Sequence, residues 1–425
     1  MHSSAARFQA ETALISGRLH HDPAYNAFDA MADMSTLTGD YLYGEFGEEQ
    51  DEVLAGGSLG RREMLPNSDV DLFVISDRLS RGRASGLDAS FDKVEAACVT
   101  HEHASRLARL TLVDGNRLID ARHIAGLPND ETVPMLRVAN TLDRQMTNVI
   151  SEWNYFRSFD YQSKAHATYG ENIKYSNGSS RDVVFINWLY RMHSGTLPYT
   201  DLAADQPELE LAADYFAIPD YLKQAIGLVL MVKNAAVENY TTKENWRLRY
   251  INGLSMANIY AACRDKLLEL GVSDRPDFIE VYAAARTSIE EYVDQVVAEV
   301  SQEWSAALEE SPKQSELVES LELASSGAEI AFYAWELVNG GVDSSVAQRA
   351  FNYLQAVGFP ECWGGMMALA CNPSAEDDTL WEMAEWLYAN EPGAYLLKLV
   401  SRNPNTTSTQ QHIFRQYYEK KEVMK

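Results

Sequence analysis

One segment of the chain combines residue types that phosphoryl-transfer chemistry requires. Gly56, Gly57 and Ser58 are followed about a dozen residues later by Asp69 and Asp71. Glycines in a turn let backbone N–H groups approach a polyphosphate closely, and a serine hydroxyl adds one more donor. Two carboxylates that are two residues apart on a strand leave the same face and attract a hard divalent cation. This order and spacing therefore favour a phosphate cradle beside a metal-binding pair.

Each half of this pattern has an ordinary structural explanation. An Asp-x-Asp pair is often a solvated surface feature, and Gly-Gly-Ser is often only a turn. Their order across a predicted strand, turn and strand favours the functional interpretation. Residues 51–55 predict a short strand, residues 60–68 a turn-rich link, residues 70–76 a strong strand and residues 109–113 a third strand.

The remainder of the chain has helical periodicity. Residues 5–49 predict helices interrupted at Asp22–Pro23, and apolar residues recur at helical spacing over 133–159, 182–193, 220–240 and 277–308. The expected fold is α+β, with a small mixed sheet followed by a large all-helical region. The expected domains are N-terminal helices, a catalytic core, a helical domain that completes the site and a C-terminal helical domain, at residues 1–45, 46–132, 133–310 and 311–425.

The C-terminal region contains two similar short segments. Residues 370–374 (ACNPS) and 401–405 (SRNPN) place Asn372 and Asn403 31 residues apart. That period is typical of stacked helical repeats, so the chain is expected to end in HEAT-like repeats. Two ordinary Asn-Pro turns between helices are the alternative.

Several segments resemble a known family. Residues 56–75, GGSLGRREMLPNSDVDLFVI, resemble the signature of the nucleotidyltransferase superfamily. The resemblance is closer to the branch that contains PII-protein uridylyltransferase and glutamine-synthetase adenylyltransferase. Residues 118–126 resemble a helix of that branch, L-x-x-(D/E)-x-R-x-x-x-G, and residues 172–182 resemble its loop N-(I/L)-K-x-x-x-G-G-L-R-D. Residues 220–259 resemble its helical half.

The resemblance implies an activity and a set of site residues. A nucleoside monophosphate, UMP or AMP, would pass from UTP or ATP to an acceptor hydroxyl, with Mg²⁺ or Mn²⁺ as the metal. Asp69 and Asp71 would hold the metal. The implied nucleotide-binding residues lie in the glycine turn and the later loop: Gly56, Gly57, Ser58, Arg61, Lys174, Arg181 and Asp182.

The chain departs from the family pattern at two points. Gly178-Ser179-Ser180 stands where the family has Gly-Gly-Leu, which puts the geometry of that loop in doubt. The third carboxylate of the family has no clear counterpart, and Asp114 is the acid nearest to its expected position. A pair without a third acid would hold metal more weakly and could lack a base that activates the acceptor.

The acceptor implied by this branch is a protein hydroxyl such as that of tyrosine. A small hydroxylated metabolite is the alternative within the enzyme class, and a nucleotide-binding regulatory or scaffold protein without turnover is the alternative outside it. With 36 Lys and Arg against 62 Asp and Glu, the net charge of −26 disfavours a nucleic-acid acceptor.

Composition and cysteine spacing predict the cellular setting. The chain has 46% hydrophobic residues, which argues against a disordered protein. Its 4 cysteines form no C-x-x-C pair, so a reduced, cytoplasmic setting is expected. The apolar run 225–232 is far shorter than the roughly 20 residues of a membrane-spanning helix. The uridylyltransferases of this branch also carry a hydrolase domain with a His-Asp metal site. The His-Asp pair of this chain, His21–Asp22, lies at the wrong end for such a domain, so no uridylyl-removing activity is expected.

Overall fold

The structure is a computed structural model, and its described residues fall into two compact units. Residues are described at 2–47, 51–75, 94–100, 121–126, 132, 147, 150–151, 171–173, 177–186, 218–240, 250–251, 253–307, 316–359, 361–390, 393–402 and 406–423. The first unit comprises Met1–Arg106, Asn116–Ala139 and Ala165–Val296, and the second comprises Leu107–Gly115, Asn140–Lys164 and Val297–Lys425.

A four-stranded mixed sheet forms the centre of the first unit. Its strands are β1 (Glu52–Gly56), β2 (Val70–Ile75), β3 (Val94–Val99) and β4 (Arg122–Ala125), in the spatial order β3-β2-β1-β4. Strand β1 is antiparallel to both β2 and β4, whereas β2 and β3 run parallel. Every residue of β1 is buried, in agreement with its apolar sequence EVLAG. The predicted α+β class with a small mixed sheet is therefore confirmed.

Two of the predicted strands are found, and one predicted helix is wrong. Strands β1 and β2 agree with the predictions within one residue. Residues 122–125, expected to be helical, instead form β4 on the other edge of β1. The reason is tertiary: this short segment pairs with a buried strand, and Arg122 is buried with its Nη2 donating to the Leu59 carbonyl at 3.3 Å. The strand predicted at 109–113 lies outside the described residues.

The helices of the first unit agree with the periodicity of the sequence. They are α1 (His2–His21), α2 (Ala27–Phe46), the short α3 (Gly57–Gly60), α4 (Asp220–Tyr240), α5 (Gly253–Ala262), α6 (Arg264–Glu269) and α7 (Arg275–Ala307), which belongs to this unit through Val296. A further helical segment spans 180–186, and β5 (Glu171–Asn172) pairs with β6 (Tyr250–Ile251). Asn26 starts α2 through a capping box with Asp29, directly after the predicted break.

A buried lysine on α6 contacts the C-terminal end of α1 and the turn that follows it. Lys266 is 5% exposed, and its Nζ donates to the carbonyl oxygens of Leu19 at 2.8 Å and Tyr25 at 2.5 Å. Burial lowers the pKa of the Lys266 amine. The amine therefore satisfies two carbonyl groups where α1 ends and the chain turns towards α2.

The described part of the second unit is helical. Its helices after α7 are α8 (Leu317–Leu323), α9 (Gly327–Asn339), α10 (Ser344–Val357), α11 (Trp363–Ala370), α12 (Asp377–Ala389), α13 (Gly393–Arg402) and α14 (Ser408–Val423). Trp335, Trp363, Phe351 and Phe414 are among the largest fully buried side chains. Residues 403–405, which belong to the second Asn-Pro segment, lie outside the described residues, so the repeat stays a prediction.

Two further observations concern cysteines and membranes. Cys263, Cys362 and Cys371 are buried thiols outside any disulfide, and the side chain of Cys98 lies outside the description. Within the described part of the chain, none of the helices combines the length and apolar character that crossing a bilayer would take.

The Lys266 contacts predict a measurable loss of stability. In Lys266→Met the carbonyl groups of Leu19 and Tyr25 lose their charged donor, so the free energy of unfolding is expected to fall by about 1–3 kcal/mol. Lys223→Met is the matched control, because Lys223 pairs with an exposed carboxylate at 3.4 Å and should change stability by less than about 1 kcal/mol. Urea denaturation of both variants measures the difference, and equal losses would contradict this role of Lys266.

Candidate active site at the glycine turn

The glycine turn and the second aspartate are in direct contact. Gly57 follows β1 without an intervening loop and has a φ of +54°. A Cβ atom at Gly57 would lie 2.2 Å from Oδ2 of Asp71, so any side chain here would force that carboxylate to move. Glycine is therefore required here both by the left-handed backbone and by the carboxylate beside it. The pairing of turn and carboxylate expected from the sequence is present in the structure.

The register of β1 and β2 produces this contact. Gly56 is the partner of Asp71 in the antiparallel ladder, and Asp69 lies immediately before β2 begins. Ser58, Asp69 and Asp71 are all partly exposed, whereas Gly56 is buried. The adjacent ends of β1 and β2 thus place a serine hydroxyl and two carboxylates, all partly exposed, beside a turn that carries no side chain at position 57.

Backbone hydrogen bonds and a buried ion pair hold the turn. The N–H of Glu63 donates to the Ser58 carbonyl at 2.7 Å, and the N–H of Arg61 donates to the Gly57 carbonyl at 3.1 Å. Arg61 Nε lies 2.7 Å from Glu63 Oε2, with side chains only 8% and 6% exposed. Arg61 therefore braces the turn through Glu63, and its contact with a nucleotide stays a prediction.

The link between the turn and Asp69 is tied to the surrounding helices. The N–H of Met64 donates to Ser35 Oγ on α2 at 3.3 Å, and Asn67 Nδ2 donates to Asn234 Oδ1 on α4 at 3.3 Å. Asn234 is 2% exposed and donates in turn to Ser16 Oγ on α1 at 3.1 Å. These bonds fix the approach to Asp69. Sequence reasoning did not identify Asn234, although it lies in a segment that resembles the helical half of the family.

The second predicted loop has its own set of contacts. Asp182 accepts a hydrogen bond from the Gly178 N–H at 2.6 Å, and Ser180 Oγ donates to the Ile173 carbonyl at 3.3 Å. A Cβ at Gly178, where φ is +68°, would lie 2.0 Å from the Arg286 carbonyl on α7. Asp182 therefore braces this loop, and the serines that depart from the family pattern take part in its packing.

Arg181 and Lys174 are the other two residues of this loop that the resemblance implies in nucleotide binding. Arg181 is partly exposed, with its guanidinium 5.9 Å from the Phe185 ring. Lys174 lies outside the described residues. The described contacts thus join Gly57 to Asp71 and, in a second group, Asp182 to Gly178.

A third acid lies next to Asp71 in the sheet. In the parallel pair of β2 and β3, Glu95 is the register partner of Asp71. Asp114, which the sequence suggested, lies outside the described residues. The available sequence signal was the apolar run VEAACV at 94–99 with its single acid. The family pattern instead pointed to a third carboxylate near Asp114, because residues 118–126 resemble a helix of the family.

The donor set at the turn suits a hard divalent ion. Carboxylate oxygens at a partly exposed strand end are ligands that Mg²⁺ and Mn²⁺ accept. The side chains that the structure describes form no cluster of three or more His, Cys, Asp or Glu. The side chain of Glu95 is not among those described. Asp69 and Asp71 therefore fit such an ion as a pair.

Comparisons with known proteins support the nucleotidyltransferase resemblance. Residues 43–113 match the family model described as a nucleotidyltransferase domain. A bifunctional uridylyltransferase/uridylyl-removing enzyme from Vibrio campbellii is 24% identical over 203 residues, which cover 44% of this chain and 23% of that relative. The chain thus spans less than a quarter of the length of this relative. The resemblance to the nucleotidyltransferase superfamily is confirmed, and the matched segment contains the turn, both aspartates and Glu95.

The contact between Gly57 and Asp71 predicts a specific defect. In Gly57→Ala the new methyl group must displace the Asp71 carboxylate, so the thermal shift produced by UTP or ATP with Mg²⁺ should be largely lost. Gly271→Ala is the control, since Gly271 also has a positive φ of +86° but nothing within 4 Å of its Cβ position. Both variants should lose about 1 kcal/mol of stability from backbone strain. If Gly57→Ala kept the full increase in Tm on nucleotide addition, the glycine turn would not be the phosphate-binding site.

Proposed function

We propose that this chain is a metal-dependent nucleotidyltransferase that moves UMP or AMP from UTP or ATP to a hydroxyl group of a protein. The observation that carries the proposal is the contact between Gly57 and the Asp71 carboxylate. It places a side-chain-free turn against a metal-binding acid, which is the arrangement that a bound triphosphate and its metal need. The family match over residues 43–113 supports the reaction class.

The proposed roles combine the described positions of the turn and the two aspartates with the family resemblance. The backbone of Gly56 and Gly57 and the hydroxyl of Ser58 bind the phosphates, and Asp69 and Asp71 hold the divalent ion. When bound, Mg²⁺ or Mn²⁺ neutralises phosphate charge and orients the α-phosphate. The family resemblance supports a role for Lys174 in binding the triphosphate, with Arg181 and Asp182 in the loop that carries it.

Glu95 is the proposed base in this reaction. The register of β2 and β3 supports this choice, because Glu95 is the ladder partner of Asp71. The acceptor oxygen attacks the α-phosphorus, the bond to the bridging oxygen breaks, and pyrophosphate leaves with the electron pair. The acceptor proton passes to the carboxylate. Glu95 lies inside the family match, whereas Asp114 lies one residue beyond it.

The choice of donor and acceptor is supported by the relative and by the second unit. The Vibrio campbellii relative is a uridylyltransferase by name, so UTP is the first donor to test and ATP the second. The helices of the second unit, as HEAT-like repeats, would provide an extended surface for a protein acceptor. Three buried cysteine thiols among the described residues, all outside disulfides, support a reducing cytoplasmic setting.

The reaction class predicts release of pyrophosphate from UTP or ATP in the presence of Mg²⁺ and an acceptor. Asp69→Asn and Asp71→Asn should each lower the rate by about 100-fold or more, because several kcal/mol of charge stabilisation depend on the ion they hold. Asp265→Asn, on the exposed surface of α6, should leave the rate unchanged. A coupled pyrophosphate assay measures all three variants. Tight nucleotide binding without pyrophosphate release would favour the regulatory alternative.

A second comparison separates the two candidate bases. Glu95→Gln is expected to reduce turnover by about 10²- to 10⁴-fold with little change in nucleotide binding, because the acceptor then keeps its proton. Asp114→Asn is expected to retain most of the activity. The reverse result, with Asp114 essential and Glu95 dispensable, would show that the register of β3 does not identify the base.

A further inference from the structure

The first unit contains a large cavity that the proposed reaction does not use. Its volume is about 1240 Å³, and residues of α2, β4, α4, α6 and α7 line it. This volume exceeds the roughly 300–1,000 Å³ of typical small-molecule sites. Gly57, Ser58, Asp69 and Asp71 are not among its lining residues. The cavity therefore needs an explanation separate from the triphosphate site.

One end of the cavity adjoins the glycine turn. Arg62 and Arg122 both line it. The Arg62 N–H and Arg122 Nη2 donate to the carbonyl oxygen of Leu59, at 3.1 Å and 3.3 Å. The turn therefore holds the backbone of Arg62 and the guanidinium of Arg122 at this end of the cavity.

The charge of the cavity wall is opposite to that of the protein. Its Lys and Arg residues are Arg62, Arg122, Lys223 and Lys266, and its carboxylates are Asp29 and Asp40. Asp29 already accepts a hydrogen bond from the Asn26 N–H in the cap of α2, at 2.9 Å. Basic groups thus outnumber acidic ones here, in a chain whose net charge is −26. This local reversal favours an anionic ligand.

Two glycines in the middle of helices keep the cavity wide. Gly39 in α2 and Gly227 in α4 both line it, and a Cβ atom at either position would meet nothing within 4 Å. Close helix packing therefore does not require these glycines, although glycine weakens a helix relative to alanine. Their structural effect is to leave room between apolar walls that include Met31, Leu228 and Met231.

We infer that this cavity binds a small organic anion with an extended apolar body. Its carboxylate or phosphate group lies against Arg62 and Arg122, and its apolar part lies along α2 and α4 beside Gly39 and Gly227. The inference does not depend on nucleotidyl transfer, because Gly57, Ser58, Asp69 and Asp71 do not line the cavity.

Calorimetric titration without nucleotide tests this binding. Decanoate and decyl phosphate are the anionic probes, and decyltrimethylammonium is a probe of equal chain length and opposite charge. At least one anion should bind at a single site, about tenfold or more tighter than the cation, because a charge-assisted contact contributes about that factor. Absence of binding by both anions, or equal binding of anion and cation, would overturn the inference.

Filling the cavity provides the structural control. The double variant Gly39→Leu, Gly227→Leu should lose at least about tenfold in anion affinity, while its Tm stays equal or rises because leucine is the better helix former. Gly44→Leu is matched, since Gly44 is also an open position on α2 but does not line the cavity. The Gly44→Leu variant should bind the anionic probe with the same affinity as the unmodified chain. Undiminished binding by the filled double variant would place the ligand elsewhere.

Discussion

The site depends on the close approach of the Asp71 carboxylate to the backbone of Gly57. That approach exists because Gly56 and Asp71 are partners in the ladder between β1 and β2. A slip of one residue would turn every side chain of β2 to the other face of the sheet and remove the carboxylate from the turn. The buried apolar residues of both strands specify the register, so the hydrophobic core of the first unit sets the geometry of its polar edge.

The surrounding helices support this geometry through a few buried polar contacts. Ser35 on α2 and Asn234 on α4 each hold one point of the link that leads to Asp69. Buried hydrogen bonds of this kind are costly to break, because the groups left behind have no water to replace the lost partner. The helical part of the unit therefore restricts the motion of the acidic pair without itself supplying a metal ligand.

Local patterns in the sequence were sufficient to predict the glycine turn and the two strands that flank it. The apolar runs at 52–56 and 70–75, the glycines between them and the helical periodicity of 220–240 depend on near neighbours, and the structure agrees with each. Strand β4 could not be found in this way, since RHIA has no clear strand pattern and its pairing comes from a distant part of the chain. The pairing of Glu95 with Asp71 could not be predicted either, because the register of two parallel strands is not encoded in either strand alone. Asn234 contacts Asn67 across 167 residues, a separation at which sequence spacing carries no information.

The buried ion pair of Arg61 and Glu63 has a consequence for the evolution of this turn. Substituting one partner would leave an unpaired charge buried away from water, which lowers the free energy of unfolding by about 3–5 kcal/mol. Replacing both partners with apolar residues can leave stability almost unchanged. Descendants of this chain should therefore keep both residues or exchange both together. Lineages with one member substituted would have to carry a compensating change nearby.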